Sequence, residues 1–247
     1  FTVRSQPEPS TTVAPGSTIL FHCKDSGAGH FGPSSTVADV STLDFSKVNP
    51  VSGPIFVDGA QPGDALKLTI ESFAPSGFGW TANIPGFGLL ADQFSDPALT
   101  LWKYDPGTLE PAMFGSDGRV PLKPFAGTIG NAPAEAGLHS VVPPRRMGGN
   151  MDIRDLAAGT TLYLPVEVAG ALFSVGDTHA AQGDGEDGDA YARRYLMDLL
   201  EDDFAEELAQ RLADRAIVLR EGRIAETIEG ERLRDGDVFR ELVEEIF

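Results

Sequence analysis

"GALFSVGDTHAAQGDGE", running from Gly170 to Glu186, starts as a buried strand and ends as a cluster of reactive side chains. Its first half is apolar, with Phe173 and β-branched Val175, the make-up of a strand inside a sheet. Asp177 and His179 follow two positions apart, so an extended chain points both the same way at the strand's end. Gly183 and Gly185 flank Asp184 and let the backbone turn without a Cβ clash, which returns Glu186 towards His179. Such a polar run contributes little to a core. It reads either as a solvated turn or as the floor of a site.

Outward from this stretch, the region before Glu186 repeats similar segments. "STILFHC" (17–23), "ALKLTIESF" (65–73) and "TLYLPVEV" (161–168) are short, β-branched and aromatic, and "APGS", "QPGD" and "LAAGT" beside them carry turn chemistry. Within the second, "KLTIE" alternates polar and apolar, as a half-buried strand does. Several such runs without long helical patterns predict a mainly β domain, a sandwich or barrel, over residues 1–186. Two long glycine- and proline-rich stretches, "GFGWTANIPGFGLLADQF" (77–94) and "FAGTIGNAPAEAGLHSVVPPRRMGGNMD" (125–152), are expected as functional loops.

All 18 prolines lie at or before Pro165, and the last 62 residues hold 19 of the 37 acidic residues, so residues 187–247 are expected as a second, acidic helical segment. There "AYARRYLMDLLEDDFAEELAQRLADRA" (190–216) spaces Leu196, Leu200, Phe204, Leu208 and Leu212 four apart, as an amphipathic helix does. "AIVLREGRIAETI" (216–228) predicts a hairpin turning at Glu221-Gly222, and "DVFRELVEEIF" (237–247) a short terminal helix. The formal net charge is −18, and only five of the 19 basic residues are lysine. A surface of that sign repels phosphate backbones and anionic lipid, so neither nucleic acid nor membrane is expected as a partner. It also suits a salt-rich cytosol. No apolar run reaches ~18 residues, about the least that spans a bilayer, and the first residues lack the basic start and apolar block of a signal peptide. The expected location is cytoplasmic. A single cysteine, Cys23, excludes an internal disulfide and any multi-cysteine zinc site.

One imidazole with two or three carboxylates is a good ligand set for a divalent cation such as zinc. A further carboxylate would act as general base on the water it activates. "MGGNMDIRDL" (147–156) is a second polar patch, with Gly148 and Gly149 letting the backbone approach a site beside Asn150 and Asp152. "FHCKDS" (21–26) is a third, holding His22, Cys23 and Asp25. Each has a plainer reading. A D-G run is most often a solvated turn, a lone histidine is more often structural, and Cys23 reads as a small buried hydrophobe. Trp80 and Trp102 read as core, with Trp80 in a stretch that also suits a pocket wall.

Five stretches in this order, "NPVSGPIFVDGAQPGD" (49–64), "IPGFGLLADQF" (84–94), "PFAGTIGNAPAE" (124–135), "PPRRMGGNMDIRDLAAGTTLYLPV" (143–166) and the opening one, resemble the acetamidase/formamidase family. The resemblance covers roughly Val13 to Glu186. It implies that family's β-rich fold, metal-dependent hydrolysis of short aliphatic amides of the formamide or acetamide type to carboxylate and ammonia, and a homodimer. Carried over residue by residue, it implies His179, Asp152 and Asp25 as ligands of a divalent cation, zinc first and calcium as the other candidate. Glu186, Asp177 and Gln182 are the catalytic candidates, with Glu186 as base and later as proton donor to the leaving ammonia. Asn150, Trp80 and Phe87 are the candidates for the substrate pocket, and backbone amides of "GTIG" or "MGGN" for the oxyanion. After Glu186 the chain departs from the family, which continues there with further strands. That departure keeps open an inactive, amidase-like binding protein, and beyond it a purely structural subunit. "ADRAIVLREGRIAET" resembles the closing hairpin of transporter ATPase domains, but without a "GxxxxGK[ST]" loop no ATPase is expected.

Overall fold

Phe173–His179 is extended and paired on both sides, as its apolar first half requires. The computed structural model of the chain describes residues 2–4, 8–88, 90–183, 215–220 and 223–229. These belong to two compact units, Phe1–Gln182 and Gly183–Phe247. The first unit carries β1 (Thr2–Arg4), β2 (Thr11–Val13), β3 (Val51–Val57), β4 (Ala65–Thr69), β5 (Phe78–Asn83), β6 (Ala98–Lys103) and β7 (Ala112–Phe114). It continues with β8 (Gly118–Val120), β9 (Phe125–Gly130), β10 (Leu138–Ser140), β11 (Gly148–Asn150), β12 (Thr161–Pro165) and β13 (Phe173–His179). A 3-10 turn at Val37–Thr42 is its one described helical element. In the second unit β14 (Arg215–Arg220) and β15 (Arg223–Glu229) pair antiparallel. Of the sequences expected as helices there, only Arg215 and Ala216 are described, and they open β14 instead; the rest, and Glu186, lie outside the described residues.

A five-stranded sheet in the order β11-β9-β13-β3-β2 forms the body of the first unit. All its pairings are antiparallel except β2 on β3. Against it packs the β4–β12 ladder. Along β4, Leu66 and Leu68 turn inward while Ala65, Lys67 and Thr69 are exposed, the period-2 pattern legible in "KLTIE". In register opposite them stand Leu164 and Leu162. These leucines meet Ile55, Ala126, Ile129, Leu156 and Phe173 in one core. Two layers with their apolar faces inward make the arrangement sandwich-like, and the mainly β expectation holds.

Three segments depart from expectation. "STILFHC" belongs to no strand. Beneath it β3 is already flanked by β13 and β2, so β3 offers it no free side to pair with. Instead it lies on the core with Ile19 and Phe21, and Phe21 meets Phe173 edge-on at 5.8 Å. The stretches expected as long loops contain strands: β5 in one, and β9, β10 and β11 in the other. β9, "FAGTIG", is buried along nearly its whole length. Its glycines serve close approach rather than turning. A Cβ on Gly130 would stand 2.8 Å from the Gly149 nitrogen, and one on Gly148 would strike the Ile129 carbonyl.

Candidate metal centre

β13 and β9 bring the site together. Their register pairs Gly176 with Thr128 and Thr178 with Ala126, which sets Gly127 opposite Asp177. The Gly127 carbonyl accepts the N–H groups of both Met151, at 2.9 Å, and Asp152, at 3.1 Å. That pair of bonds anchors Asp152, two residues beyond β11, over the same point. Asp152, Asp177 and His179 each offer a ligand atom, and these atoms all lie within 4.8 Å of one another. Asp177 is buried, and the side chains of Asp152 and His179 are about four-fifths covered.

The backbone is bent to achieve this. Asp152 and Asp177 both have φ of 52°, and Asn49 beside them has 50°. Left-handed backbone costs a non-glycine residue about 1–2 kcal/mol, least for Asn and Asp. Three such residues at one place mark a point where strain is stored for geometry. His179 stacks flat on Phe125, ring centroids 4.7 Å apart and planes 5° from parallel, which fixes its ring. Its Nε2 is 4.0 Å from Asp152 Oδ1, and its buried Nδ1 makes no hydrogen bond. A buried ring nitrogen with no partner is costly unless something else binds there.

The residues fit a divalent cation on three observations. The donors are two carboxylates and an imidazole, suited to zinc by type. The ligand atoms lie within 4.8 Å of one another, so one cation with bonds of about 2.1 Å for zinc or about 2.4 Å for calcium reaches all three once the side chains close in by roughly an ångström. Gly127 supplies the space: a Cβ there would stand 2.7 Å from His179 Cε1 and 3.0 Å from Asp177 Oδ2, and against Asp152 Oδ1.

Of the expected ligands, His179 and Asp152 meet, and Asp177, expected as a catalytic group, joins them. Asp25 is not in the group. Its Oδ1 accepts from Gly27 N at 2.8 Å, Gly29 N at 3.4 Å and Trp80 Nε1 at 3.2 Å, so it caps a turn and orients the indole. Gln182 donates from Nε2 to the Asp152 carbonyl at 2.6 Å, while its buried Oε1 has no hydrogen-bond partner. Asn150 Oδ1 accepts from Thr128 Oγ1 at 2.9 Å and Asn49 Nδ2 at 3.2 Å. Trp80 packs on Phe31, ring centroids 4.5 Å apart. Phe87 is 59% exposed and rests on Phe45. "GTIG" is a strand flanked on both sides, so its amides serve the ladders before any oxyanion. Burial pushes the Cys23 thiol above its ordinary pKa, the setting of an inert cysteine. In the sequence Gly127 and Thr128 stand out only within "GTIG", for their backbone amides, and Asn49 not at all, although each sits inside a stretch resembling the family.

The family model described as Acetamidase/Formamidase matches residues 5–141 and 136–192 of the chain. The acetamidase of Mycolicibacterium smegmatis is 30% identical in a match that covers 72% of this chain and 58% of that protein. The formamidase of Methylophilus methylotrophus is 29% identical in a match that covers 70% of this chain and 56% of that one. Among solved structures, an acetamidase from Bacillus halodurans shares the fold at a TM-score of 0.69 and 34% identity, over 76% of this chain and 61% of its own. The chain therefore spans under two thirds of the length of these relatives.

Proposed function

We propose a function from one premise: the chain belongs to the acetamidase/formamidase family. It is a metal-dependent hydrolase of short aliphatic amides of the formamide or acetamide type, releasing carboxylate and ammonia. The observation that carries this reading is the convergence of Asp152, Asp177 and His179 around the space left by Gly127. Asp152, Asp177 and His179 would hold the cation, zinc by donor type. When bound it supplies Lewis acidity at a carbonyl oxygen and lowers the pKa of water. Gln182 holds the Asp152 backbone through Nε2 and offers Oε1 as a buried acceptor to an amide N–H. Phe125 keeps the imidazole from turning away. Glu186, which lies outside the described residues, is the proposed base. It takes a proton from water as oxygen adds to the carbonyl carbon and returns it to nitrogen as the C–N bond breaks.

Two further parts belong to the same reading. The five-stranded sheet ends on β2 and β11 among the described residues, and such edges invite covering by a second copy, which supports a homodimer. A single cysteine needs no oxidising compartment, which supports a cytoplasmic setting. No helix among the described residues is long and apolar enough to cross a membrane.

The test is ammonia release from formamide and acetamide by the full chain, with its metal content, before and after chelation. Release that disappears with the metal and returns on adding zinc is expected, and His179→Ala should abolish both uptake and release. Bound cation without release at any added metal would instead favour an amidase-like binding protein.

A further inference from the structure

Asn49 stands where three parts of the first unit meet. Its N–H donates to the Ser26 carbonyl at 2.7 Å, tying it to the turn capped by Asp25. Pro50 follows, and its carbonyl occupies the place a Cβ on Gly176 would take. Because Val51 pairs with Gly176, the antiparallel register carries the chain past the end of β3 towards Asp177. Asn49 Nδ2 reaches Asn150 Oδ1 at 3.2 Å and Asp177 Oδ2 at 3.4 Å.

The amide orientations follow from the neighbours. Asn150 Nδ2 donates to the Val142 carbonyl at 3.2 Å and Thr128 Oγ1 donates to Asn150 Oδ1 at 2.9 Å. The Asn150 oxygen therefore faces Asn49, and Asn49 must present its NH2 group. That group has two hydrogens. One goes to Asn150 and the other to the Asp177 carboxylate.

We propose that Asn49 is a positioning residue for cation binding: anchored through Asn150 and Thr128, its side-chain amide holds the Asp177 carboxylate in the orientation that meets Asp152 and His179. This rests on the cation-binding reading of that cluster. A neutral donor fixes a ligand's rotation without adding a charge that competes for it, and groups that hold ligands in this way typically govern metal affinity by about 10–100-fold.

Asn49→Gly tests the side chain alone, since glycine accepts a φ of 50° without strain and leaves the backbone as it is. Thr128→Val cuts the chain of bonds one step further out while keeping shape. The full-length protein, stripped with chelator, is titrated with Zn²⁺ by calorimetry, and the melting temperature of the stripped form is recorded beside it. Expected is a dissociation constant about 10–100-fold weaker in Asn49→Gly, a smaller weakening in Thr128→Val, and stripped melting temperatures close to the parent's. Zn²⁺ affinity unchanged in Asn49→Gly overturns the positioning role while leaving the cation site standing. A parent protein that takes up no Zn²⁺ sinks both readings. Should Asn49→Gly unfold when stripped while Thr128→Val binds like the parent, Asn49 is structural and the proposal falls.

Discussion

A methyl group at position 127 would stand 2.7 Å from His179 Cε1 and 3.0 Å from Asp177 Oδ2, inside the separation that real Cβ atoms keep. Gly127→Ala must therefore push apart Asp177 and His179, two of the groups proposed to hold the cation. The expected cost in stability is about 1–3 kcal/mol, the range for overpacking, and the loss of cation uptake should be far larger than that stability change implies. Metal content after dialysis, measured beside a melting curve, checks it: a folded variant that still takes up the cation would show that this space is not where the ion sits. At this scale the sequence is informative about donors and silent about their supports. Asp177, His179 and Asp152 are visible as acids and an imidazole beside glycines. Asn49 and Thr128 are ordinary polar residues until the register of β9, β13 and β3 sets them side by side. Asp25 looks like a ligand in "FHCKDS", yet its oxygen is spent on two backbone N–H groups and an indole. Residue type alone cannot tell a ligand from a cap.

Among the elements, β13 has two duties that divide along its length. Its first residues hold the core, where Phe173 is 6% exposed and touches Phe21 edge-on, and its last residues present Asp177 and His179. Phe173→Ala should therefore cost about 3–5 kcal/mol, as large aromatic truncations in cores do, measured by denaturant unfolding. If the strand is a rigid carrier, cation affinity at temperatures where the variant remains folded should change little. A parallel loss of affinity would show that the core and the site yield together. Strands with alternating side chains, such as β4 and β12, are legible because one face is wet and the other dry. β9 is not, because a strand buried along most of its length loses alternation. Its Gly127 and Gly130 also carry the statistics of a turn, although they are there to let β11 and the side chains of Asp152, Asp177 and His179 come close. "STILFHC" has strand composition without strand pairing because the positions beside β3 are taken. Pairing is a property of neighbours, which a local reading does not contain.

Across the whole molecule, charge is distributed as unevenly as proline. The last 62 residues carry 19 acidic and nine basic side chains, so more than half of the net −18 comes from a quarter of the chain. The family match, by contrast, runs over residues 5–192. The family match and most of the excess charge thus occupy largely different parts of the sequence, and the composition changes at about residue 186. Excess charge of one sign repels itself when the protein folds, and salt relieves this by shortening the screening length from about 30 Å at 0.01 M to 3 Å at 1 M. Raising sodium chloride over that range at pH 7 should lift the melting temperature by several degrees, the shift that a gain of about 1–2 kcal/mol gives a chain of this size. Sodium sulfate matched to sodium chloride in ionic strength separates screening from exclusion at the surface, since only the second depends strongly on the anion. A melting temperature indifferent to sodium chloride would mean that the acids are already compensated in the folded state, by the arginines that outnumber lysines or by bound cations. In that case zinc or calcium added at low salt should raise it where sodium does not.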